Sequence, residues 1–321
     1  MTEGEGTRVT IIDTGVAAGH PDLEVDEALS ENFTGDDFGS ANAAGGYHGT
    51  HVGGIVGASD NETGVIGTAP KTTLVDCRVF SPSSLASFAD ILAAIVYSAN
   101  IDADAANLSL GAYPIPRQSL GSFYGKALNS TMTYANKEGT LLSIAAGNDS
   151  ADLQHDKNFI SLPNEGAQAV SVSATGPIGF MWGDEGLEEP FVSPAFYTNY
   201  GTNAVTVAAP GGDADLDAIG TGVPWHLDLV YNTLAYPEYE TDDDGNVTGV
   251  TGYDYTYGWL AGTSMAAPQV AGAAALVKSE NPDYNANQVE SVLKRTAEVP
   301  DDYEKTYYGT GVIDPAEAVR D

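Results

Sequence analysis

Apolar runs of strand length alternate with segments of helical period along almost the whole chain, and that alternation admits few folds. Residues 9–13, 75–80, 105–111, 141–146, 169–174 and 204–209 read as strands. Residues 85–99, 120–138, 287–296 and 315–320 read as helices, and two more helices open near His48 and Ser264. The strand runs are close to continuously apolar, so both of their faces must be covered. A helix between successive strands returns each strand parallel to the last. The expected fold is therefore α/β in three layers, a mostly parallel central sheet covered by helices on both faces. A length of 321 residues would suit two domains, but an α/β sheet of this size forms one core, and residues 1–321 are expected to be a single domain.

The sharpest chemical feature is residues 262–277, Gly-Thr-Ser-Met-Ala-Ala-Pro-Gln-Val-Ala-Gly-Ala-Ala-Ala-Leu-Val. Val270, Ala273, Ala274 and Val277 recur at i, i+3, i+4 and i+7, which describes a helix with a buried apolar face. Ser264 falls in its first turn. A serine there can cap the helix, with Pro268 tolerated in a first turn and the small residues serving close packing. It can equally be a hydroxyl on a rigid element, beside unpaired backbone N–H groups and within reach of an activating base. Residues 9–15, Val-Thr-Ile-Ile-Asp-Thr-Gly, end a strand on a carboxylate and put Asp13 at the carboxyl edge of the sheet, where open α/β folds bind ligands. Residues 48–56, His-Gly-Thr-His-Val-Gly-Gly-Ile-Val, open a glycine-rich helix. Asp13, His48 and Ser264 together supply an orienting carboxylate, a general base and a nucleophile.

These three segments, in this order, resemble the Asp, His and Ser signatures of the subtilisin-like serine proteases, and the resemblance runs from about Arg8 to the C-terminus. It implies a subtilisin-like fold and a serine endopeptidase that cleaves polypeptides through an acyl-enzyme. Asn148 follows a strand and a glycine; its residues alone suggest a turn asparagine, while the resemblance makes it the side-chain donor of an oxyanion hole shared with the Ser264 N–H. Ser109, Leu110 and Gly111 look like the end of a core strand, and by resemblance they pair with extended substrate. Asp22 and Asn61 lie in polar loops that suit either a solvated turn or a hard-cation site; the resemblance makes them ligands of a structural Ca2+. Implied partners are polypeptide substrates and a propeptide or protein inhibitor, with the enzyme secreted to the extracellular space and acting as a monomer.

Residues 1–6 have neither a basic nor an apolar signal region, although such proteases are usually made with a signal and a propeptide. Removal by processing, a start at the mature domain, and action without those parts all stay open. Residues 176–195, with Met181, Trp182 and Phe191, exceed a shortest connection. Residues 216–257, with Trp225 and six tyrosines, form a second long excursion, and here the chain departs from compact subtilisins. Residues 242–246, Asp-Asp-Asp-Gly-Asn, suit a hairpin turn, with a second calcium site as the alternative although EF-hand spacing is absent. Gln269 stands where family members often carry histidine.

A net charge of −33, from 45 acidic and 12 basic side chains, repels nucleic acid and anionic membranes alike. This composition resembles that of halolysins, salt-requiring members of the same family; an ordinary acidic enzyme is the alternative. No run approaches the roughly 18 apolar residues of a membrane span. Cys77 is the only cysteine, so no intrachain disulfide can form and the redox compartment is undecided. Its strand setting suits a small buried hydrophobe better than a reactive thiol. Two rival functions are a groove that holds peptide without cutting it, and a zinc site on His48 and His51. The second lacks the glutamate of His-Glu-x-x-His and a third ligand.

Overall fold

The computed structural model describes all residues except 1, 84, 119, 181, 184–191 and 302–303. Its strands are β1 (Arg8–Asp13), β2 (Glu31–Asn32), β3 (Thr73–Arg78), β4 (Ala105–Leu108), β5 (Ala112–Pro116) and β6 (Leu141–Ala145). They continue with β7 (Phe159–Leu162), β8 (Ala169–Gly176), β9 (Ser193–Pro194), β10 (Val207–Pro210), β11 (Val230–Thr241) and β12 (Val247–Leu260). The helices are α1 (His48–Gly57), α2 (Phe88–Asn100), α3 (Leu120–Glu138), α4 (Thr263–Glu280), α5 (Ala286–Arg295), α6 (Lys305–Tyr308) and α7 (Pro315–Arg320).

One eight-stranded sheet runs β10-β8-β6-β4-β1-β3-β2, with β9 paired to β8. Every pairing in it is parallel except that of β9. The strand period of two divides the core into two layers. Val9, Ile11 and Leu141 face one layer, with α1, α4, α5 and α7. Ile12, Leu142 and Ile144 face the other, with α2 and α3. Helices thus cover both faces, as the near-continuous apolar strands require. From β1 the chain goes to β3 on one side and then crosses to β4 on the other, so the strand order reverses at β1. That is where an open α/β sheet leaves a crevice at its carboxyl edge, and Asp13 is the last residue of β1.

α4 is the spine of the first layer. From 262 to 277 every residue but Ser264 and Gln269 is buried. Gly272 permits part of this packing, since a Cβ there would sit 2.6 Å from the Thr68 Cβ. Pro268 lies inside the helix rather than in its first turn. Having no N–H, it cannot bond the carbonyl of Ser264 four residues back. The Ser109 hydroxyl fills that place, donating to the Ser264 carbonyl at 2.7 Å.

Several expected boundaries shift. The strand at 105–111 stops at Leu108, because the chain turns after Gly111 and β5 pairs antiparallel with β7 outside the main sheet. The helix expected from 85 begins at Phe88, where the Ser87 hydroxyl accepts the Asp90 N–H and leaves Leu85 outside, 75% exposed. The strand at 204–209 begins at Val207, since a turn closed by the Val205 N–H on the Gly201 carbonyl holds the preceding residues.

β11 and β12 form an antiparallel hairpin, and residues 242–246 are its turn. The Asp242 carboxylate accepts the N–H groups of Asp244 and Asn246 and the Asn246 amide, so its oxygens serve the turn. In the other excursion Met181 and Phe191 lie outside the described residues, while the Trp182 indole donates to the buried Asp228 at 2.7 Å. Cys77 is buried in the second layer, and burial raises its thiol well above the ordinary value, which suits a packing role. Among the described residues no helix is long and apolar enough to cross a membrane.

Candidate active site

Asp13, His48, Asn148 and Ser264 line one cleft of about 560 Å³, together with Ser109, Leu110 and Gly111. The close approach of α1 to the end of β1 depends on glycine. A Cβ at Gly49 would lie 2.6 Å from the Gly15 carbonyl oxygen and 3.1 Å from the Asp13 Cβ. With that space open, His48 Nδ1 comes within 2.8 Å of Asp13 Oδ1. The same oxygen accepts the Thr14 N–H at 2.7 Å, and the Thr14 hydroxyl in turn accepts the Gly49 N–H. Asp13 is buried, and its Oδ2 has no hydrogen-bond partner.

Burial by itself would lower the His48 pKa; the charge of Asp13 and the hydrogen bond to it oppose this and leave the value raised. The side chain keeps 30% of its surface open to the cleft, so Nδ1 is committed to Asp13 while Nε2 is left for chemistry.

Ser264 is the second residue of α4 and does not cap it. The N-cap position belongs to Gly262, which has no side chain to offer. The cap comes from across the sheet: Asn148 Oδ1 accepts the Thr263 N–H at 2.9 Å and the Thr263 hydroxyl at 2.8 Å. Two donors on the oxygen identify which end of the carboxamide is which and leave Nδ2 free. Thr263 is fully buried and its Oγ1 also accepts the Gly147 N–H at 3.1 Å, so the Ala-Gly-Asn turn and the start of α4 are locked together. Nothing in the sequence pattern pointed to Thr263 as the residue that orients Asn148. The Ser264 N–H is one of the first-turn donors that an α-helix leaves without an internal acceptor.

The Ser264 hydroxyl points to the Ser109 carbonyl at 3.3 Å and is exposed to the same cleft as His48. Ser109 is thus tied to the serine turn twice, and Asn107 Nδ2 donates to its hydroxyl at 2.9 Å. Leu110, Gly111, Ala112 and Ile115 continue into a second, apolar cavity of about 360 Å³ that includes Phe88, Ile91, Tyr124 and Leu128.

His51, one turn further along α1, is not in the cleft. It is fully buried with Nε2 at 3.2 Å from both the Val230 and the Gly258 carbonyls, and burial pushes its pKa down to about 4. The imidazole is therefore a neutral donor that pins the hairpin base to α1, and its Nε2, occupied by two carbonyls, is not offered to a zinc ion shared with His48. Gln269 accepts a hydrogen bond from Thr68 at 3.0 Å.

Asp22 and Asn61 lie elsewhere, on neighbouring loops. Asp22 is wholly buried; its Oδ2 accepts the Val65 N–H at 2.9 Å, and its Oδ1 has no partner. Asn61 is exposed, donating to the Pro21 carbonyl at 3.4 Å while its own oxygen accepts from Thr63. Among the described residues no three histidine, cysteine, aspartate or glutamate side chains converge as a metal site. A cation at Asp22 would therefore draw on carboxamide and backbone carbonyl oxygens as well, as calcium does.

The sequence profile of the subtilase family matches residues 4–311. Subtilisin DY from Bacillus licheniformis is 33% identical over 311 residues, covering 97% of this chain and 90% of that protein. Thermitase from Thermoactinomyces vulgaris is 28% identical over 321 residues, covering 100% and 91%. Among solved structures, a lanthipeptide protease superposes with a TM-score of 0.74 at 26% identity, covering 99% of this chain and 89% of that one. A protease from Pseudoalteromonas arctica gives 0.73 at 27%, covering 99% and 91%.

Proposed function

The chain belongs to the subtilase family and is a subtilisin-like serine endopeptidase, and on that premise we propose that it cuts polypeptides through an acyl-enzyme formed on Ser264. The observation that carries this reading is the 2.8 Å bond from His48 to Asp13 at the wall of the cleft that holds Ser264 and Asn148. Rotation of the Ser264 hydroxyl away from the Ser109 carbonyl hands its proton to His48 Nε2 as Oγ attacks the scissile carbonyl. Asp13 holds the imidazole in the tautomer that can accept that proton and stabilises the imidazolium that results. Charge then develops on the former carbonyl oxygen. The Asn148 amide, free because Thr263 occupies its oxygen, and the Ser264 N–H are the donors that meet it. Collapse breaks the C–N bond, His48 protonates the departing amine, and water repeats the sequence to free the acid.

Ser109, Leu110 and Gly111 offer backbone groups to an extended substrate on the acyl side. The adjoining apolar cavity would take an apolar side chain from the same segment. We read residues 1–321 as one catalytic domain that acts as a secreted monomer, with a propeptide or protein inhibitor as a further partner for the cleft. The surface charge supports a salt-adapted enzyme.

A serine-directed fluorophosphonate tests the nucleophile. Labelling should appear on Ser264, persist in chelator, and vanish in Ser264→Ala. Labelling elsewhere, or none, would remove the assignment. We also assign a structural Ca2+ to Asp22 and Asn61, since a buried carboxylate oxygen without a partner is a ready ligand. An ion that binds only the folded state stabilises it by mass action, so chelation should lower the melting temperature and added calcium restore it. A melting curve indifferent to both would exclude that site.

A further inference from the structure

The hairpin β11–β12 is fastened to the His48 side of the cleft. The Thr233 hydroxyl donates to the Thr50 carbonyl at 2.8 Å, His51 meets the carbonyls of Val230 and Gly258, and Leu260 leads into the Ser264 turn. Tyr47, the residue before His48, packs against Tyr236 of β11 with ring centroids 5.1 Å apart and planes at 48°. Both rings stay partly open, 39% and 42% exposed. Asp254 is the cross-strand partner of Tyr236. Glu238 lies two residues along β11 from Tyr236 and therefore on the same face. Its carboxylate lies over Gly252, where a Cβ would meet Oε2 at 2.9 Å. Residues 230–260 contain no lysine or arginine.

This inference rests on the roles given above to His48 and Ser264. His48 returns its proton to the departing amine, so the chain that follows the scissile bond must leave on the side of His48, opposite Ser109–Gly111. On that side stand Tyr47, the residue before His48, and Tyr236, which packs on it. We propose that this tyrosine pair, with Asp254 and Glu238 beside it, is a specificity element for the segment after the cut and selects a lysine or arginine within its first three residues. Tyrosine faces attract a cation, and the aliphatic stem of a long basic side chain lies well on a ring. The two carboxylates lack a basic neighbour on the hairpin and draw the charged end further along the same face. An acidic side chain in that segment meets like charge and is rejected.

Internally quenched peptides with one fixed acyl half test this, carrying Lys, Ala or Glu at the first, second or third position after the cut. At least one position should favour Lys over Glu by roughly tenfold in kcat/KM, given surface-grade cation–π and ion-pair contributions acting together. Tyr236→Ala should shrink that ratio severalfold. The pair Asp254→Asn with Glu238→Gln should shrink it independently, with no ring lost. A wild-type ratio near one at all three positions, or a ratio untouched by both sets of variants, would overturn the inference. A p-nitroanilide with the same acyl half carries no following segment and keeps the two readings apart. If the wild type fails to turn it over, the acyl-enzyme reading is lost along with this one. Turnover without lysine preference sinks the specificity element alone.

Discussion

Thr263 has no charge and no place in the chemistry, yet it decides which end of Asn148 faces the cleft. Asn148→Ala should lower kcat by roughly 10²–10³ with little change in KM, because the lost bond strengthens in the transition state. Thr263→Ala should produce a smaller loss of the same kind, and Thr263→Ser, which keeps the hydroxyl, should recover most of it. A Thr263→Ala defect confined to KM would argue against an orienting role. On the proposed mechanism the pH profile belongs to His48. Its raised pKa means that the neutral, proton-accepting form is reached only at higher pH, so the acid limb of kcat/KM should lie above the ordinary imidazole value of about 6.5. Removing the charge with Asp13→Asn should move that limb downward as well as slow turnover; a limb that stays in place would detach it from this pair. Asp13, His48 and Ser264 were visible in the sequence because each ends or opens an element with its own pattern. Thr263 was not, because its bond to Asn148 joins residues 115 positions apart.

Elements followed the apolar pattern closely where packing alone decides them. α3 begins and ends where the periodicity does, and α7 likewise. They departed from it where a polar side chain or a turn intervened, as Ser87 does for α2 and as β5 does by drawing the chain off the sheet after Gly111. The hairpin was legible from its turn residues, but its docking on α1 was not, since the contact runs through His51, which reads as part of a histidine-rich motif. A neutral histidine with its pKa pushed to about 4 leaves a trace in stability. The unfolded chain takes up a proton below about pH 6.5 that the folded protein refuses until about pH 4, so this stability is present above that window and is lost as pH falls through it. The loss amounts to roughly 3 kcal/mol at most at 1.36 kcal/mol per pKa unit. His51→Gln should therefore be less stable than wild type at neutral pH by a margin that narrows between pH 6.5 and 4. Parallel stability curves would show that the imidazole is not the buried base described.

At the scale of the whole molecule, charge dominates. Ion pairs to lysine and arginine among the described residues occupy Glu3, Glu5, Asp36, Asp104, Glu165, Glu290, Glu317 and Asp321, a small part of the 45 acidic side chains. Of the others, those at the surface, unlike the buried Asp13, Asp22, Asp76, Asp213 and Asp228, repel one another. The Debye length falls from about 10 Å at 0.1 M salt to about 3 Å at 1 M, so sodium chloride raised over that range should lift the melting temperature steeply at constant calcium. A level or falling series would sink the salt-adapted proposal and leave the family assignment intact. The burial of α4 bears on how such a protein fails. Its first turn carries Ser264 and almost every later residue to 277 is enclosed, so the proposed nucleophile cannot come loose while the core stays shut. A molecule that opens is disarmed in the same event and becomes prey for its intact neighbours. Near the melting temperature, decay of activity should then become second order in protein, with the survivors fully competent and the losses found as fragments.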